Sequence, residues 1–224
     1  MRTRLVLNLF SLVIFLGGAV AAQAATFDIG VIGHQYPADG VKLTQDMERL
    51  KAFQASLIPY SEITAKTTWT AVPGSFDLGC TRPAGYNGRL ITCSVGTAKL
   101  TVQNAGVVAD RVLVLVNSGT YGGSGGQIAV AYNGFWQNEV AFHELSHSFG
   151  LHDEYVLFGG GTLNNVTYAN CYAGSTGPAW PYGGCRYGAW RRSSATSLMR
   201  QIDQRFFNPV SQALLRNRLQ QFLQ

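Results

Sequence analysis

The sequence predicts an α/β domain in which a twisted mixed sheet carries one chemically loaded helix, followed by a smaller, loop-rich lobe that ends in a helix. Three observations lead there. Strand-like and helix-like segments alternate through the first two thirds of the 224 residues. A continuous apolar run, Arg111-Val112-Leu113-Val114-Leu115-Val116-Asn117, has the composition of a strand buried on both faces, and so belongs in the middle of a sheet. The stretch from Val156 to Ser197 is rich in Gly, Asn, Tyr and Trp with little periodicity, which predicts long ordered loops forming a cleft wall.

The chain opens with Arg2 and Arg4, then an apolar run from Leu5 to Ala22 broken only by Asn8 and Ser11, then Ala22-Gln23-Ala24. A basic start, an apolar middle and small residues before a cut describe a signal peptide, residues 1–24, with cleavage expected after Ala24. About 200 residues remain, a size that suits one compact domain with a sizeable core. We read 25–224 as a single catalytic domain, its upper lobe about 25–150 and its lower lobe about 151–224. No further apolar stretch is long enough to span a bilayer, so stable membrane insertion after cleavage is not expected.

The formal charge of +5 falls to +3 once Arg2 and Arg4 are removed. Lys and Arg are scattered apart from Arg191-Arg192, so nucleic acid is not an expected partner. All four cysteines lie in the exported part, and none forms a C-x-x-C pair; disulfides are therefore expected. Three connectivities are possible. Cys80–Cys93 and Cys171–Cys185 are favoured because each pair encloses a short Gly-containing loop, worth about 3 kcal/mol per closure. Together these features point to the periplasm or the extracellular space; they do not fix the oligomeric state, for which a monomer is the favoured expectation.

Within the upper lobe, Phe27 to Ile32 reads as a first strand, and Gln45 to Leu57 has helical spacing in Met47, Leu50, Phe53 and Leu57. Thr64 to Val72 is β-like, and Asn87-Gly88 between Cys80 and Cys93 is a hairpin turn signal. Thr97 to Asn104 is read as a second helix against its β-branched content. The run Tyr121-Gly122-Gly123-Ser124-Gly125-Gly126 lacks the Gly-Lys-Ser/Thr ending of a phosphate loop; it is either a flexible turn or a close backbone approach to a cleft. Gln127 to Tyr132 is expected as an edge strand able to hold an extended substrate by strand addition. Asn208-Pro209 caps a final helix whose stripe is Val210, Leu214, Leu215, Leu219 and Phe222.

The chemistry concentrates in His143-Glu144-Leu145-Ser146-His147-Ser148-Phe149-Gly150-Leu151-His152-Asp153-Glu154-Tyr155, which holds three of the four histidines; His34 is the outlier. Trp136, Val140, His143 and His147 recur at helical spacing, so the two histidines project from one face, one turn apart, within reach of one cation. Glu144 lies about 100° around the helix from His143. From there it can reach an activated water without competing as a first ligand, the position of a general base. Gly150 stops the helix by adopting the left-handed C-cap conformation, and the chain turns back to deliver a third ligand. The extended zincin pattern puts that ligand at Asp153, with His152 and Glu154 as alternatives. The reading is a hydrolase with one catalytic Zn2+.

These residues resemble the bacterial IgA-peptidase family of zinc metallopeptidases, whose signature is an H-E-x-x-H helix followed closely by Gly-Leu-x-Asp-Glu-Tyr, here Gly150 to Tyr155. The similarity extends to Leu115-Val116-Asn117, the glycine run and Ser197-Leu198-Met199, covering roughly 111 to 200. It implies a metzincin-like fold, a peptide or protein substrate, and an apolar methionine turn at Met199 beneath the metal. Tyr155 would then either stabilise an oxyanion or pack beside the ligands.

The expected function is an exported zinc endopeptidase with Glu144 as base and His143, His147 and Asp153 as ligands. Two rivals stand beside it: a non-catalytic, zinc-stabilised surface or periplasmic binding protein, and a zinc amidase acting on cell-wall peptides.

Overall fold

A computed structural model describes residues 25–156, 170–174 and 179–224. The expected signal peptide lies outside the described residues. So does the part of the predicted cleft wall at 157–169 and 175–178. Among the described residues, no helix is long and apolar enough to cross a membrane.

The chain builds a five-stranded sheet in the order β2-β1-β3-β5-β4. β1 (Phe27–His34) pairs in parallel with both β2 (Thr67–Phe76) and β3 (Arg111–Val116). β3 pairs in parallel with β5 (Ala129–Tyr132), and β4 (Gly123–Ser124) closes the far side antiparallel to β5. The apolar run at 111–117 is thus the central strand, buried from Val112 to Val116 as its composition requires.

The parallel pairs demand crossovers, and helices supply them. Between β1 and β2 runs α1 (Val41–Gln54), which starts four residues earlier than its apolar spacing suggests, directly after the left-handed Gly40 (φ 72). α2 (Val95–Asn104) links β2 to β3, capped by the Ser94 hydroxyl on the Thr97 N–H. It packs on β1 where Gly30 leaves room; a Cβ there would sit 3.0 Å from Val102 Cγ1. The motif helix α3 (Gln137–His147) follows β5 and packs on it, with Phe142 against Tyr60 at 4.9 Å between ring centroids.

Two expectations are corrected here. Gln127 to Tyr132 is not an edge strand: β5 lies between β3 and β4, and the edge passes to Gly123–Ser124. Its four residues are all buried, as an interior strand's must be, and the apolar Ile128 to Ala131 could have signalled it. The loop-rich stretch also contains a hairpin, β6 (Tyr182–Cys185) with β7 (Tyr187–Arg192). Its glycines and short strands hide the period-2 signal, and its turn rests on Arg186 at φ 58 rather than on a glycine.

The disulfides join Cys80 to Cys93 and Cys171 to Cys185, the favoured pairing. Asn87 and Gly88 both have positive φ (48 and 69), the geometry of a type I′ turn, although only Thr81 and Thr92 pair across the loop. The terminal helix α4 (Pro209–Gln220) is capped by Asn208, whose side chain accepts from the Ser211 N–H at 2.9 Å. Among the described residues, the main apolar cluster runs from Phe27 to Leu219, with a small satellite around Cys171, Cys185 and Trp190.

Candidate active site

The motif helix ends where the sequence says it must. Gly150 has φ 89; its N–H reaches the His147 carbonyl at 2.9 Å, and the Leu151 N–H reaches Ser146 at 3.3 Å. These two bonds form a Schellman cap, which reverses the chain and carries Leu151 to Tyr155 back over the helix.

Both helix histidines are oriented by main-chain oxygens. His143 Nδ1 donates to Leu198 O at 2.9 Å, and His147 Nδ1 donates to Leu151 O at 2.8 Å. A carbonyl only accepts, so each Nδ1 carries a proton and each Nε2 faces inward, where its lone pair is offered to a metal once the ring is neutral. The Nε2 atoms converge on one oxygen, Asp153 Oδ1, at 3.0 Å from His143 and 3.5 Å from His147. Glu144 Oε2 lies 3.7 Å from His147 Nε2. His143, Glu144 and His147 present ligand atoms within 4.8 Å of one another, a spacing that could hold a metal ion. Two neutral imidazoles with a carboxylate oxygen close to both form a donor set that suits zinc.

The electrostatics follow from burial and closeness. Burial alone would lower His143, but the Asp153 and Glu144 carboxylates and the Leu198 carbonyl outweigh it and hold it up at about 9. Burial pushes Glu144 up, partly offset by both histidines. Asp153 moves the other way: its burial is outweighed by the two imidazoles, which hold it well below the usual carboxylate range. Tyr155 is pushed up by burial and then by the Asp153 carboxylate.

The alternatives for a third ligand have other work. His152 Nδ1 lies 2.8 Å from an Arg186 guanidinium nitrogen, and burial followed by that cation lowers its pKa to about 4. Glu154 is fully buried and faces away from the histidines into a polar hub. Its carboxylate accepts from Ser197 Oγ (2.6 Å), Asn208 Nδ2 (2.6 Å), Asn170 Nδ2 (3.2 Å) and Ser211 Oγ (3.2 Å). Its N–H donates to Met199 O at 2.8 Å. Met199 is wholly buried, in a turn where Arg200 and Gln201 N–H groups return to Ser197 O. His34 is a core residue whose Nδ1 accepts from the Leu78 N–H at 3.1 Å.

The glycine run makes a close approach rather than a flexible turn. A Cβ on Gly125 would lie 2.5 Å from both Glu144 O and His147 Cβ, and one on Gly123 would lie 2.8 Å from Glu144 Oε1. Only glycine lets this segment lie on the motif helix. Gly123 is itself covered on its outer side: its N–H donates to Arg89 O at 2.9 Å, and its carbonyl accepts from the Ile91 N–H at 3.1 Å. Leu90, bridged in parallel to Gly123, must by strand alternation turn its own N–H and C=O outward. The outer rim of the sheet is therefore the disulfide-closed loop. Arg82 rivets that loop in place through the Tyr121 and Thr120 carbonyls at 3.0 and 2.6 Å.

The histidines, Glu144, Asp153 and Tyr155 line a cleft of about 990 Å3 whose upper rim includes Leu90. A second hollow of about 880 Å3 shares Gly126 and His147 with it and continues past the end of the helix, beside Lys99 and Gln127. Sequence reasoning gave no role in the site to the main chains of Leu198, Leu151 and Leu90, which leave no side-chain signal. Nor did it join Asn170, Ser197 and Asn208 into a hub, since only folding brings these scattered polar residues together.

Paired histidines one turn apart, a neighbouring glutamate and a returning aspartate in an open cleft define the class as a metal-dependent hydrolase. Residues 25–170, more than half of the chain, match the family described as IgA Peptidase M64, and the chain belongs to that family. It is a zinc metallopeptidase. No curated protein sequence matches the chain. Among solved structures, the archaemetzincin of Methanopyrus kandleri is similar at 14% identity with a TM-score of 0.45, over 87% of this chain and 96% of that one.

Proposed function

We propose that the protein is an exported endopeptidase that cuts within protein chains, with His143, His147 and Asp153 holding one zinc ion and Glu144 acting as general base. The observation that carries the reading is the convergence of both Nε2 atoms on Asp153 Oδ1, 3.0 and 3.5 Å away, with Glu144 beside them. Asp153 stands nearer to the two histidines than Glu144 does to His147, which supports the aspartate as ligand and leaves the glutamate to move protons. When bound, zinc supplies Lewis acidity toward the scissile carbonyl and lowers the pKa of an attacking water. Glu144, raised by burial, takes the water's proton and passes it to the departing amine nitrogen. Tyr155, on the cleft wall and held protonated, serves as a donor to the developing oxyanion.

Cleavage within a chain is supported by the size of the cleft, about 990 Å3, which has room for a peptide on either side of the reacting centre. The Leu90 rim, rather than Gln127 to Tyr132, is the edge we propose for strand addition. Export rests on two disulfides and the predicted signal peptide at 1–24. One catalytic domain over 25–224 is supported by the continuous core and by Glu154, which ties the ligand loop to α4.

The deciding experiment compares the parent protein with Glu144→Ala. Equal zinc content, with digestion of denatured protein lost only in the variant, is the expected result. Retained proteolysis sinks the mechanism. Zinc without proteolysis in the parent favours a metal-stabilised binding protein, and release of peptidoglycan fragments alone favours a cell-wall amidase. Immunoglobulin A, the substrate in the family's name, belongs in the substrate panel.

A further inference from the structure

The cleft is unevenly charged. Three guanidinium groups line it, from Arg89, Arg186 and Arg200, against only two carboxylates, those of Glu144 and Asp153 at the reacting centre. The chain has 12 acidic residues, and none of them falls in 1–24, 157–169 or 175–178, so no segment outside the described residues can add a carboxylate to this wall.

The remaining acids are committed elsewhere or lie off the cleft. Asp46 pairs with Lys42 and Arg49, Glu139 with Arg205, and Glu62 with Arg216. Glu154 is enclosed in its hub. Among the described residues, no ion pair includes Arg89 or Arg200.

The three cations arrive from three separate segments. Arg89 sits on the disulfide-closed loop, 5.9 Å over the Tyr121 ring and next to Leu90. Arg186 stands at the β6–β7 turn, its N–H on Asp153 O at 2.9 Å and its side chain against His152 Nδ1 and Tyr187 Oη. Arg200 follows Met199 in the turn that holds His143 through Leu198. They therefore line the cleft that holds the reacting centre, and a bound zinc ion would add to their sign. A low-dielectric cleft with a net excess of one sign of charge concentrates ligands of the other.

We propose that this cleft selects acidic peptide segments, with Asp or Glu side chains flanking the scissile bond seated against Arg89, Arg186 and Arg200. The proposal rests on the reading of the cleft as a peptidase site. It adds a substrate preference that the ligands and base do not set.

The test uses the zinc-loaded full-length protein on matched peptides that carry Glu, Gln or Lys on either side of one cut. The expected order of kcat/KM is Glu over Gln over Lys, each step about tenfold at low salt and flattened at high ionic strength. Arg200→Glu and Arg89→Glu should each reverse the Glu-to-Lys order, mainly through KM. Arg89 is exposed, so its variant keeps the test valid should Arg200→Glu fail to fold.

Cleavage with no acidic preference, or a preference unchanged in folded arginine variants, overturns the proposal. Anisotropy of the same labelled peptides on Glu144→Gln, with and without Arg89→Glu, reads the preference without turnover. Selective binding of the Glu peptide, lost with Arg89→Glu, upholds the charge preference even where the parent cleaves nothing, and in that case it is the peptidase reading that fails. Equal binding of all three peptides removes the preference while leaving the peptidase reading intact.

Discussion

His143 Nδ1 donates to the main-chain oxygen of Leu198 at 2.9 Å, across 55 residues of sequence. The tautomer of the first histidine therefore depends on a turn that belongs to the C-terminal part of the chain. That turn is held in its place by the Glu154 hub, since Ser197 donates to the carboxylate and the Glu154 N–H donates to Met199 O.

Removing this carboxylate leaves the buried Ser197, Asn208 and Ser211 donors without their acceptor, and Asn170 with the His152 carbonyl alone. Glu154→Ala is expected to cost about 3 kcal/mol or more, from the loss of hydrogen bonds to a buried charge. Zinc affinity should fall by at least about tenfold through the displaced Leu198 carbonyl. Thermal unfolding and competition with a chromophoric chelator measure the two effects; an unchanged melting point with unchanged affinity rejects the hub's role.

Asp153→His replaces an anionic donor with a neutral one. The variant should retain zinc, and the acid limb of its kcat/KM profile should shift to lower pH, because a less negative ligand set leaves the metal more acidifying toward its water. A profile that does not move at full metal occupancy speaks against Asp153 as a ligand.

Gly125→Ala puts a methyl group 2.5 Å from Glu144 O and from His147 Cβ, both parts of the motif helix. Either the helix or the glycine run must shift. Activity should drop by about a hundredfold, as displacements near 1 Å do at reacting centres. Wild-type turnover in Gly125→Ala would mean that the run and the helix are not packed as described.

Opening the Cys80–Cys93 loop separates stability from docking. The double variant Cys80→Ser/Cys93→Ser should lose about 3 kcal/mol of stability by the loop-entropy account. If Leu90 is the rim that receives substrate, KM should rise with kcat nearly preserved. A fall in kcat alone moves the docking edge elsewhere.

Stripping the metal with a strong chelator should abolish proteolysis and lower the melting point by roughly 10 °C, the linkage effect of a ligand held far above its Kd in a domain of this size. Adding back zinc should restore both. Activity that persists in the demonstrably metal-free protein is the result that rules out the zinc reading.

Side chains announced the two histidines, Glu144 and the Gly150 turn because each is a local device with a fixed spacing. The central strand was legible for a similar reason: burial on both faces leaves an unbroken apolar run from Val112 to Val116. The β6–β7 hairpin was not, since Tyr182-Gly183-Gly184-Cys185 has neither alternation nor β-branched residues. The edge was misplaced because Gly123–Ser124 is only two residues long and draws its register from partners, Val130, Ala131 and Arg89 to Ile91, rather than from its own composition. The arginines around the cleft stayed hidden for a different reason: 89, 186 and 200 have no spacing in common, and only the folded chain makes them neighbours.

The Glu154 hub also sets where the chain can be shortened. The family match ends at residue 170, yet Ser197, Leu198, Asn208 and Ser211 all lie beyond it. A fragment trimmed at that boundary would keep every proposed ligand and the base, but it would lose the carbonyl that aims His143 and three of the four side chains that satisfy Glu154. Cutting in the C-terminal segment, by a laboratory or by a processing protease, would thus act as an off switch for a reaction whose own residues remain untouched.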